Sequence, residues 1–118
     1  MPVTRGDVIL AFVANVGSPG GKVRPALVVQ SDHNNGRLNE TIIAAITSNV
    51  ARSHEATQFL IEIGTADGAR SGLLTDSVVR CERLHTIPQA DLRRTIGRLS
   101  TTLMLLVDDC LKAALGIT

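Results

Sequence analysis

Two strand ends in this 118-residue chain carry the residue types from which an anion site can be built. The first is the stretch Gly20-Gly21-Lys22-Val23-Arg24-Pro25-Ala26-Leu27-Val28-Val29-Gln30, a glycine-rich loop that turns into an apolar, β-branched run. Arg24 stands at the hinge. Pro25 biases the residue before it toward extended backbone and has no amide hydrogen to donate, which fits the mouth of a strand. A guanidinium placed there, beside a loop loosened by Gly17, Gly20 and Gly21, offers a planar fork that matches phosphate or carboxylate oxygens. The second end is Thr41 to Ser48, five apolar residues followed by the hydroxyls of Thr47 and Ser48. We read the two ends as one active site.

Other chemistries find less support. His33 and His54 fall in polar connections and His85 in a strand, with no spacing that unites them as an acid–base pair. No cluster has the spacing of a metal site. Ser18-Pro19-Gly20-Gly21 resembles a phosphate-cradling loop, but it leads into a strand rather than a helix, so it is not a P-loop. A flap that closes over a ligand is the better reading. Cys81 and Cys110 lie far apart and read as buried thiols of a reducing compartment.

Net charge is +1, and of the 12 basic residues only Lys22 and Lys112 are lysines. Phe12 and Phe59 are the only aromatics. Stacking platforms for single-stranded nucleic acid are therefore not expected; recognition of nucleic acid here would rest on hydrogen bonds and shape. The apolar content of 44% fits one domain, residues 1–118, without a membrane span. The start, Met-Pro-Val-Thr-Arg-Gly-Asp, lacks the apolar core of a signal peptide, and a cytoplasmic location is expected.

Strands are expected at Asp7–Val13, Ala26–Gln30, Thr41–Thr47 and Gln58–Ile63, where Phe59, Ile61 and Ile63 alternate with polar residues. Leu73–Val79 and Glu82–Thr86 read as two short strands or one bent strand. Ser31–Asn39, with Asn34-Asn35-Gly36, reads as a polar turn, and Gly64–Gly72 as a loop. Thr86-Ile-Pro-Gln89 has the spacing of a capping box and predicts a short helix through Ile96. Ser100 caps a last helix that runs to Leu115 and stops at Gly116. That helix is apolar nearly all round, which points to packing on the core and on a second chain. The fold class is mainly β with appended helices (α+β), a small bent sheet or barrel.

The ordered segments Arg5-Gly6-Asp7-Val8-Ile9, Gly21 to Gln30, Ile42 to Ser48, Asp76-Ser77-Val78-Val79, Leu84-His85-Thr86-Ile87 and Ile96-Gly97-Arg98-Leu99-Ser100 resemble the MazF/PemK family of toxin endoribonucleases. The resemblance implies an SH3-like small barrel of the MazF/PemK/CcdB type with a C-terminal helix, assembled as a homodimer. It implies metal-independent, sequence-specific cleavage of single-stranded RNA without a cofactor, and neutralisation by a cognate, short, acidic antitoxin that lies across the RNA groove. Its catalytic arginine corresponds to Arg24 and its catalytic hydroxyl to Thr47. Ser18, Gly20, Gly21, Lys22, Pro25, Ser48, Asp76 and Ser77 are the accessory or RNA-binding residues it brings in. Some members carry an arginine two positions before the aspartate. Here Leu74 stands there, with Arg70 as the only nearby substitute.

RNA brings its own nucleophile, the 2′-hydroxyl, so such an enzyme yields a 2′,3′-cyclic phosphate and a 5′-hydroxyl and spares DNA. Arg24 suits charge stabilisation at the phosphoryl oxygens rather than proton transfer. The competing readings on the same fold are a non-enzymatic gyrase poison and a catalytically inactive binding module. The gyrase toxins end in a helix whose tryptophan grips the target; this chain ends Leu115-Gly116-Ile117-Thr118 and has no tryptophan.

Overall fold

The computed structural model describes residues 2–118. Apolar runs in the first half of the chain become three adjacent strands: β1 (Asp7–Ala14), β2 (Gly21–Val28) and β3 (Glu40–Thr47). Strands buried on one face alternate apolar with polar, whereas Val8–Ala11, Ala26–Val28 and Ile43–Ile46 run continuously apolar because both faces are covered there. One face holds Val8, Leu27, Ala44 and Ile46 together with Val79 and Cys81. The other holds Ile9, Ala11, Ala26, Val28 and Ile43, closed off by Val3, Ile87 and Leu92.

β4 (Gln58–Ile61), β5 (Ser77–Pro88) and β6 (Leu92–Arg98) complete a six-stranded antiparallel sheet of order β4-β5-β3-β2-β1-β6. Its outer strands, β4 and β6, do not pair. The segment after β4 bridges them instead, since the amide of Arg98 donates to the carbonyl of Arg70 at 3.0 Å. The sheet is thus a curled half-barrel rather than a closed one. Register shifts in β1–β6 and β3–β5 supply the bending.

Two short helices, α1 (Asp32–Arg37) and α2 (Ala66–Ala69), interrupt the strands, and α3 (Thr101–Leu115) follows them. The last helix forms as its sequence predicts. Ser100 Oγ accepts from the amide of Leu103, and Gly116 closes the helix in the left-handed region at φ 70°. Met104 and Val107 enter the first core, with Leu103, Cys110, Leu111 and Ala114 packed against it. Arg5 ties the helix to the sheet: its Nε donates to the Val29 carbonyl at 2.9 Å and its Nη2 pairs with Asp108. Asp7 plays the same part at the other edge, 2.7 Å from Arg98. The Arg5-Gly6-Asp7 segment therefore serves the fold.

The predicted helix from Thr86 to Ile96 does not form. Thr86 stays in β5 opposite Ile42, a single 3₁₀ turn spans Gln89–Asp91, and β6 follows. Gln89 does not complete a capping box: its side chain donates to the carbonyls of Asn35 and Leu38 and accepts from the amide of Val3. Pairing with β1 and β3 outweighs the local signal. The two expected polar connections each contain a short helix instead. α1 is capped by Ser31, whose Oγ accepts from Asn34, and α2 by Thr65, whose Oγ1 accepts from Gly68. β5 is one bent strand, and β2 starts at Gly21 and ends at Val28 rather than running from Ala26 to Gln30.

Candidate active site

β2 and β3 pair as Ala26↔Ala45 and Leu27↔Ala44. Continued by two residues, that register sets Arg24 opposite Thr47, so the two strand ends read from the sequence meet. Arg24 is exposed and forms no ion pair among the described residues. Thr47 Oγ1 accepts from the amide of Asn49 at 3.1 Å, which fixes the hydroxyl and leaves its proton to donate outward.

Around this pair the surface opens into concavities. A first, of about 520 Å³, has an apolar wall from Leu10, Pro25, Ile46, Leu73, Leu74 and Ile96. Its polar groups are Arg24, Thr47, Ser48, Thr75, Ser77 and Arg94. A second, of about 500 Å³, lies under the β1–β2 hairpin and includes Ser18, Lys22, Arg24 and Thr47. A third, of about 140 Å³, adds Asn49, Arg52 and Gln58. Thr47 borders all three and Arg24 the first two. Pro25, Ser48 and Ser77 line the first of these concavities with Arg24 and Thr47, and Ser18 and Lys22 the second.

Gly20 and Gly21 shape the hairpin rather than line a concavity. Gly21 pairs with Ala14, and a Cβ on it would sit 2.4 Å from the Val13 carbonyl oxygen and 2.8 Å from the Phe12 ring. A Gly21→Ala change therefore distorts the strand pair, and the loop between, Asn15–Gly20, is closed by the Asn15 amide donating to the Gly20 carbonyl at 2.9 Å. Asp76 braces a neighbouring loop instead of the site. Its Oδ1 accepts from the amide of Ile63 at 2.9 Å, and the residue borders none of the three concavities. Arg70 does not border them either. Leu74, at the position where some relatives carry arginine, is 91% exposed on the rim of the first concavity.

Arg94, Arg80 and Arg83 also reach the site, and the sequence reading misses all three. Arg94 lies opposite Leu10 in β6, inside the segment whose local signals predict a helix. Its spacing two residues from Ile96, which puts both on one face of a strand, is the signal that could have found it. Arg80 and Arg83 sit on β5, whose bend the sequence does not resolve. No histidine or carboxylate borders the three concavities. His85 is held below the usual histidine range by burial and by the nearby Arg83 charge. Burial pushes Glu82 up, but hydrogen bonds from its own backbone, Arg80, Gln58 and Thr57 outweigh it and keep the carboxyl low.

Residues 4–115 match the family of PemK-like, MazF-like toxins of type II toxin-antitoxin systems. The chain belongs to that family. It is 37% identical over 118 residues to the endoribonuclease EndoA of Bacillus subtilis (strain 168), covering 99% of this chain and 97% of that one. It is 34% identical over 116 residues to the endoribonuclease MazF of Staphylococcus epidermidis, covering 98% and 92%. Among solved structures, the Mycobacterium tuberculosis toxin MazF-mt6 superposes with a TM-score of 0.74 at 26% identity, over 95% of this chain and 98% of that one. A mycobacterial endoribonuclease solved in complex with its cognate antitoxin gives 0.77 at 20% identity, over 98% and 97%. The family fold is thus the half-barrel with its terminal helix. The Arg24–Thr47 junction lies within the matched span.

Proposed function

We propose that this toxin is an endoribonuclease that cleaves single-stranded RNA at short recurring sequences, with the scissile phosphate held between Arg24 and Thr47. The juxtaposition of these two side chains at the meeting point of the concavities carries the reading. The 2′-hydroxyl oxygen attacks phosphorus, its proton is lost, and the P–O5′ bond breaks with the electron pair leaving on the 5′ oxygen, which is protonated. The products are a 2′,3′-cyclic phosphate and a 5′-hydroxyl. As charge builds on the non-bridging oxygens, the Arg24 fork neutralises it and the Thr47 hydroxyl donates a hydrogen bond. The apolar wall of the first concavity takes a base beside the cut, with Ser48, Ser77 and Arg94 available to its edge or phosphate. No step requires a cofactor.

The working form is a homodimer, supported by the apolar outer face of α3. The neutralising partner is an acidic antitoxin chain. Solved relatives with antitoxins bound support it, as do the cations around Arg24. Among the described residues no helix is long and apolar enough to cross a membrane.

The test is incubation with a long mixed-sequence RNA in excess EDTA, beside an Arg24→Ala control, with both new ends mapped. The expected result is cutting at a recurring motif with cyclic phosphate ends, absent in the control and blocked by a 2′-deoxy substitution at the cut. Intact RNA after exposure to folded protein would overturn the proposal.

A further inference from the structure

The second concavity is bordered by Lys22, Arg24, Arg80 and Arg83, and by no carboxylate. Two of these cations reach it because β5 is bulged. Opposite Ala44 stands Leu84, but opposite Ala45 stands Arg80, so Cys81, Glu82 and Arg83 are extra residues on β5. In a regular strand, positions 80 and 83 would point to opposite faces of the sheet. The bulge breaks that alternation and aims both arginines into one hollow beside Thr47.

Arg80 is also held in place. Its Nε donates to Glu82 Oε2 at 2.9 Å, while Gln58 and Thr57 donate to the same carboxylate at 3.1 and 3.2 Å. Only Nε is used, so the terminal nitrogens of the guanidinium remain for an anion. Lys22, Arg24 and Arg83 form no ion pair among the described residues. Four cations in one hollow with a single carboxylate nearby repel one another until a polyanion enters.

We propose that Arg80 and Arg83, with Lys22, form a phosphate subsite that holds the RNA backbone next to the scissile phosphate. This rests on the RNA-cleaving reading above. The hollow is continuous with the cleavage point through Arg24 and Thr47, which border both concavities. A strand crossing Thr47 sets a base against the apolar first concavity and its neighbouring phosphates in the cationic second. An RNA backbone fits better than an acidic peptide because guanidinium forks bind phosphate bidentately and the cations lead directly to the reacting phosphate.

Arg80→Gln and Arg83→Gln, singly and together, test the subsite by steady-state cleavage of an RNA that extends several nucleotides beyond the cut on both sides. Each single change should raise KM about five- to tenfold with kcat within about twofold. The double change should flatten the slope of log kcat/KM against log salt by about 1.4, two phosphate contacts of a single strand. A substrate truncated to the nucleotides flanking the cut should lose this discrimination. Thermal melts identify any variant whose loss reflects unfolding, and Arg83→Lys, which keeps the charge but not the bidentate fork, should recover only part of the KM. If the parent toxin cleaves no RNA, the functional reading fails. If the parent cleaves and the double variant matches it in KM and salt slope, the subsite alone is overturned. Variants that bind an acidic antitoxin more weakly yet cut RNA normally would overturn it in favour of a protein-docking role.

Discussion

Thr47 shows how much of the chemistry is set by one hydrogen bond. Its Oγ1 accepts from the Asn49 amide, so the hydroxyl is oriented as a donor. Thr47→Ser keeps the hydroxyl and should retain activity within about tenfold, while Thr47→Val removes the donor and should cost about 10²–10³ in kcat, the usual cost of losing a charge-stabilising donor. Single-turnover cleavage by the two variants checks this, and equal rates would dismiss the hydroxyl. The surroundings bear on proton transfer as well. With no histidine or carboxylate at the three concavities, the described site offers cations and hydroxyls but neither of the usual proton acceptors. The logarithm of kcat should then rise with pH at a slope of about 1, as solvent hydroxide takes the 2′ proton, without a bell-shaped maximum. A plateau with an inflection between about pH 6 and 7, the ordinary histidine range, would mean that a histidine takes part after all. The hinge arginine and the strand-end hydroxyls are legible in the sequence because Pro25 and the apolar runs mark strand ends locally. The bond from the Ile63 amide to Asp76 Oδ1 is not, because it joins separate loops and no spacing announces it.

Strands and helices differ in how much of their cause lies within their own sequence. α3 is legible to the residue, since Ser100, the apolar run and Gly116 are all local signals. β6 is not, because Thr86 and Gln89 imitate a helix start while the decisive interactions are the ladder to β1 and the bonds from Gln89 to Asn35 and Leu38. The bulge in β5 is invisible for the same reason: it exists only relative to β3. Its consequence reaches the core, where Cys81, on the bulged segment, packs with α3. Burial, with smaller contributions from Cys110, Glu82 and Asp108, pushes the Cys81 thiol up to about 12. The fold thus holds the proton more tightly than the unfolded chain, whose thiol titrates near about 8.5. The resulting stabilisation is complete below about pH 8.5 and drains away as pH rises from there toward 12, by at most about 1.4 kcal/mol per unit. Comparing denaturant unfolding of the parent and Cys81→Ala at about pH 8 and about pH 10 isolates this group. The parent should lose more stability with pH than the variant, in which the Cys110 thiol, also pushed up by burial, still titrates; parallel losses would show that Cys81 does not carry the dependence.

At the scale of the whole molecule, α3 has more apolar surface than one chain uses. Met104 and Val107 are buried and Leu111 packs against the core, while Leu105 and Leu106 are 62% and 47% exposed and Leu115 is 58% exposed. Single exposed leucines are common, but this 15-residue helix carries three, with Asp109 and Lys112 exposed between them. A second copy of the same chain would cover these leucines on both partners at once, because a two-fold axis brings the same patch to itself. The positions separate folding from assembly. Leu111→Glu places a carboxylate against the core and should cost several kcal/mol, on the order of 3 or more, leaving unfolded or insoluble protein. Leu106 lies outside the packed core cluster, so Leu106→Glu should leave the far-ultraviolet dichroism and the cooperative melt intact while shifting sedimentation from dimer to monomer. RNA cleavage per chain in that monomer then reports whether Arg24 and Thr47 of one chain form a complete site. If Leu106→Glu sediments as a stable dimer, the outer face of α3 is not the interface, and the association must use another surface.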